Sequence, residues 1–142
     1  DWRIHFHRWA LHSLILAGAL TNTVFDVVDD DQGQGRLYGA RLQGPASLLH
    51  ATQHRVSCKP VSQIRYEIGH HDSMPPNQYH STEVDEDTFT ATLALFSGEP
   101  PTQPSYVVGE WGMEDTYAFE RMPHDVSRVT SLIQELRKKL QK

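Results

Sequence analysis

Five large aliphatic residues close the chain at steps of 3, 4, 3 and 4: Val126, Val129, Ile133, Leu136 and Leu140, with Leu132 beside them. Such spacing returns side chains to one face only in an α-helix. Ser127, Arg128, Ser131, Gln134, Arg137 and Lys138 fall on the opposite, wet side. Asp125 offers an N-cap, Pro123 suits the first turn, and Arg137, Lys138 and Lys139 oppose the negative helix end. The Glu135–Lys139 pair adds roughly 0.2–0.5 kcal/mol. A helix of this length is marginal alone, so its stripe needs a cover. The sequence predicts an amphipathic helix over 126–140 packed on a sheet or on a partner chain.

Upstream, the pattern changes from period 3.6 to period 2. Thr23–Val28, Arg36–Gln43, Val61–Ile68, Thr88–Phe96, Tyr106–Trp111 and Thr116–Met122 read as strands. The turn cluster Asp29–Gly35 predicts a hairpin between the first two, and Gly112–Asp115 a hairpin between the last two. Residues 46–54 fit a short helix or a strand. Residues 2–7 alternate as a strand or its lead-in. Residues 8–20 are apolar on two opposite faces, which predicts a helix buried between layers. Gly69–Asp87, with Pro75-Pro76 and a run of acids, reads as a long loop that is mobile or forms a binding edge. The expected fold is α+β and mainly antiparallel: a curved sheet or partial barrel with an N-terminal helix and the C-terminal helix packed on it.

The 142 residues suit one domain, 1–142, large enough to fold without a metal or disulfide. The chain opens on Asp1 rather than Met, which reads as a trimmed or processed start. A net charge of −5 argues against a nucleic-acid partner. The apolar run Trp9–Leu20 is too short to span a membrane. The single cysteine, Cys58, favours a reducing compartment such as the cytoplasm and reads as a small residue in a strand.

Nine histidines are many for this length. His70, His71 and His80 lie in the long loop near Asp72 and Glu83, as candidate metal ligands. Their spacing matches no closed zinc pattern, so no structural metal site and no cofactor is expected. His5 and His7 would share one strand face, which permits joint ligation. Asp26, between Phe25 and Val27, and Glu67, between Tyr66 and Ile68, are candidate general bases if a cavity encloses them. With Tyr66 and Trp111 they form the candidate ligand-binding set. Trp111, at a strand end, reads as a core plug more readily than as an exposed anchor. Gly33-Gln34-Gly35 lacks a third glycine and a following helix, so it is a loop rather than a phosphate cradle.

The segment Tyr106–Leu140, a hairpin followed by Tyr117-Ala118-Phe119 and the helix, resembles the pleckstrin-homology and phosphotyrosine-binding superfold. That resemblance implies a sheet closed by its last helix. The basic strand pair of the lipid-binding members is missing; Arg36 and Arg41 stand alone. With no catalytic motif, the leading expectation is a non-catalytic binding or assembly domain, its partner another protein or a second copy of the chain. A small-molecule-binding protein or enzyme with a sheet-and-helix cone of the nuclear-transport-factor type, taking a small apolar ligand, is the second reading. Histidine-based metal binding is the third. A deep apolar pocket with inward carboxylate and histidine would favour the enzyme, and a flat apolar patch outside the core would favour the partner.

Overall fold

The computed structural model describes residues 2–98, 104–123 and 125–141. In chain order these form β1 (Ala10–Ala17), β2 (Ala19–Asp29), β3 (Gly35–Gln43), β4 (Ala46–Glu67), β5 (His71–Met74), β6 (His80–Val84), β7 (Ala91–Ser97), β8 (Ser105–Glu110), β9 (Thr116–Glu120) and α1 (Val126–Leu140). One sheet has the order β5-β1-β7. The other runs β6-β2-β4-β3-β8, with β9 also on β4. The strand pairs are antiparallel.

The N-terminal helix expected over 8–20 is absent; that stretch is β1 and the start of β2. An apolar run with two apolar faces fits a strand enclosed by neighbours as well as a buried helix. β1 is paired along both edges, and Ile15 and Ala17 are among the most buried side chains. Gly18 ends the strand at φ +69°, and a Cβ there would lie 2.5 Å from the Phe89 carbonyl oxygen. The strand–turn–strand is therefore fixed where helix periodicity suggested continuity.

Neither expected hairpin forms. β2 and β3 lie on opposite edges of β4, where Val56 faces Asp29 on one side and Gly35 on the other. Residues 30–34 cross over β4 to make that switch. Gly33 sits against the strand so closely that a Cβ would come within 2.2 Å of the Val56 carbonyl oxygen. The Asp30 amide donates to the Arg55 carbonyl (2.9 Å) and Arg55 Nε to the Gly33 carbonyl (2.7 Å). The Ser57 hydroxyl donates to the Asp30 carboxylate. Likewise β8 pairs with β3 and β9 with β4, so residues 111–115 span the β3–β4 ribbon. That span is held by Trp111 N donating to Gln34 O (2.8 Å), Ala51 N to Asp115 O (2.8 Å) and the Tyr38 hydroxyl to Glu114 O (3.0 Å). Residues 46–54 belong to β4, and the expected loop 69–87 contains β5 and β6.

The core collects Phe6, Ile15, Leu20, Tyr38, Leu49, Val56, Met74 and Val108. Trp2 packs edge-on against Tyr38 (4.8 Å between ring centres) and Tyr117 (5.0 Å). Gly109 makes that possible, since a Cβ there would meet the Trp2 ring at 2.5 Å. Residues 2–9 are thereby tied to the main sheet. The Val108 amide donates to the Ile4 carbonyl (2.8 Å), and His5 and His80 exchange two backbone bonds of 3.0 and 2.9 Å.

α1 forms over the span its stripe predicts. Asp125 caps it, accepting from the Ser127 amide at 2.9 Å, and Arg137, Lys138 and Lys139 occupy the last turn. The packing on the sheet expected for it does not follow, for none of its residues is buried. Its C-terminal end approaches the smaller sheet, where Lys139 and Leu140 line a groove with Leu16, Ala17 and Phe89. Among the described residues, no helix is long and apolar enough to cross a membrane.

Candidate functional site

The first unusual surface is apolar. Along α1, Val126, Val129, Leu132, Ile133 and Leu140 are exposed, Ile133 at 48%. β7 pairs with β1 alone among the described residues, which leaves its other edge open. It carries Leu93 (61% exposed), Leu95 (63%) and Phe96. Exposed apolar edges of this kind are the places where strands recruit other strands. Phe89, ahead of β7, has its ring 5.4 Å from the Lys139 ammonium at the end of α1.

The second is a histidine cluster. His5 and His7 stand on the N-terminal segment, and the antiparallel bridge to β6 sets His80 opposite His5. One ring nitrogen from each of the three lies within 4.8 Å of the others. His80 is only 2% exposed. The His5 Nδ1 is 2.9 Å from the Arg3 carbonyl oxygen, and the His80 Nδ1 is 3.3 Å from that of Gln78. A carbonyl oxygen only accepts, so each Nδ1 carries a proton and the neutral form of each ring leaves the Nε2 lone pair free. Burial, then the neighbouring His5 and His80, hold the His7 imidazole down at a pKa of about 4. Burial and His5 also lower that of His80.

The sequence candidates fare unequally. His80 enters the cluster, but His70 and His71 do not: the His70 Nδ1 accepts from the Glu67 amide at 3.1 Å, and His71 stacks on His12. Tyr66 donates to Asp72 (2.9 Å), which also accepts from Asn22 (2.6 Å) beside a cavity of 170 Å³. Burial and that carboxylate raise the Tyr66 phenol to about 12. Asp26 and Glu67 are exposed and do not join it. Trp111 is no core plug: it is 45% exposed, with the Arg55 guanidinium 4.6 Å and that of Arg36 5.6 Å from its ring. Burial raises the Cys58 thiol, the wrong direction for a nucleophile. The larger cavities, of 450 and 560 Å³, are open grooves rather than enclosed pockets.

Sequence reasoning saw that His5 and His7 could share a face but missed their union with His80. Only the strand pairing brings it in. No protein-family model, no curated protein and no solved structure matches the chain.

Proposed function

We propose that the chain is a binding or assembly domain whose docking surface is the α1 stripe extended by the β7 edge, and that its occupant is a second copy of the chain. The observation that carries this reading is a capped, amphipathic 15-residue helix none of whose residues is buried. Each large side chain left in water forgoes about 1.5–3 kcal/mol of burial. A helix of that length offers a face of roughly 22 by 10 Å, short of the ~800 Å² per partner of a stable interface. The β7 edge, whose approach carries Phe89 beside Lys139, supplies further area. An edge strand pairs antiparallel with its own copy without needing another sequence, and such a contact closes with two-fold symmetry.

Sedimentation velocity over a range of concentrations tests this. The intact chain is expected to form dimers or higher oligomers. Ile133→Asp and a chain ended before Asp125 are expected to sediment as folded monomers. A strictly monomeric intact chain, or an oligomer indifferent to both changes, overturns the reading.

A further inference from the structure

We propose that His5, His7 and His80 bind one divalent transition-metal ion of the zinc class, with a fourth coordination position left open to water or an exogenous anion. Three imidazoles with no carboxylate or thiolate among them suit zinc, copper or nickel, not magnesium or calcium.

The site is built in three respects. First, the backbones of two ligands are locked by the reciprocal bonds between His5 and His80, and the third by the Asn77 amide donating to the His7 carbonyl at 2.9 Å. Second, the Nδ1–H groups of His5 and His80 are each held by a main-chain carbonyl. This is the arrangement that orients metal-binding imidazoles and leaves Nε2 to the ion. Third, aromatic carbon borders the cluster: the Phe96 ring lies 5.2 Å from the His7 ring and 6.4 Å from that of Trp9. Two nitrogens on a shared tetrahedral zinc are about 3.4 Å apart. The present spread of 4.8 Å therefore closes with side-chain shifts on the order of 1 Å. Closed structural zinc sites use four protein ligands, whereas three with an open position characterise sites that bind a further molecule.

The probe is zinc itself, added to the intact protein and followed by the imidazole ¹⁵N and ¹H signals and by calorimetry. Expected are one ion per chain, loss of the free Nε2 signals of His5 and His80, and undisturbed signals from His70 and His71. Before metal is added, the His5 and His80 rings should already be Nδ1–H tautomers. His7→Ala is expected to weaken zinc affinity by about tenfold or more, and His71→Ala by less than about twofold. Should His7→Ala fail to fold, the tautomer and shift pattern of the unaltered protein still decides. Zinc that moves His70 and His71 instead, or that binds His7→Ala as tightly as the parent chain, overturns the proposal.

Discussion

At the scale of single residues, the glycines of β3 and its approach separate necessity from tolerance. A methyl group at Gly33 would stand 2.2–2.8 Å from the backbone of Val56 and Ser57, and neither strand nor crossing loop has a flexible side chain to yield. Gly33→Ala should therefore destabilise by about 1–3 kcal/mol or more, as overpacking does. At Gly39 the nearest atoms lie 3.8 Å from the same methyl group, so Gly39→Ala should be neutral or stabilise by about 0.4–1 kcal/mol through the unfolded chain. Urea melts of the two variants check the contrast; equal effects would mean that the crossing loop is not clamped on β4. His7 makes a second test. Its pKa is about 4 when folded and 6.5 in the unfolded chain. Between those values the unfolded state holds more protons. In metal-free protein the His7 contribution is thus complete above about pH 6.5 and lost as pH falls toward 4. A histidine NMR titration should find the His7 midpoint well below the ordinary 6.5, and a midpoint near 6.5 would contradict the burial seen here.

At the scale of elements, α1 shows how far a periodic pattern reaches. Its bounds, cap and charged end were legible because each depends on residues within one or two turns. What covers the stripe was not legible, since that is settled by the rest of the fold, and the rest of the fold leaves it bare. The consequence is measurable. A fully enclosed Ile133→Ala would cost about 2–5 kcal/mol. At 48% exposure the same change should cost less than about 1 kcal/mol in monomer stability, with its larger effect on association. Chemical denaturation at low protein concentration isolates the first quantity, and a loss above 2 kcal/mol there would place the stripe in a core. β1 shows the opposite failure. Leu14-Ile15-Leu16 has no polar face, because its two edges and one face are occupied by neighbours, so periodicity carried no signal to distinguish strand from helix.

At the scale of the whole molecule, β2, β3, the end of β4, β7, β8 and β9 were readable as strands, β1, β5 and β6 were not, and the partners of the strands were not. Both misread hairpins have suitable turn residues, Asp30–Gly33 and Gly112–Asp115. In each the loop crosses neighbouring strands instead of reversing beside them. What distinguishes the two outcomes is contact between the loop and β4, and that involves residues distant in sequence. The histidine cluster was hidden for the same reason: His80 reaches His5 only through the pairing of the N-terminal segment with β6. This non-local organisation also governs folding. β1 must find β7, β3 must find β8, and β4 must find β9, each across a long intervening chain. The β2–β3 crossing can seat only after β4 is extended, since Gly33 packs on its backbone. Closing such loops costs entropy before any contact repays it. Folding should therefore take milliseconds to seconds or longer, in the range of all-β domains of high contact order. Stopped-flow refolding followed by Trp2 fluorescence, in a variant with Trp9 and Trp111 replaced by Phe, reports the late step, because Trp2 becomes enclosed only when β3, β8 and β9 are together. The α1 signal in far-ultraviolet circular dichroism should not precede it, because the helix is too short to persist unaided in water. A Trp2 fluorescence change complete within microseconds would show that the crossings are not the slow step.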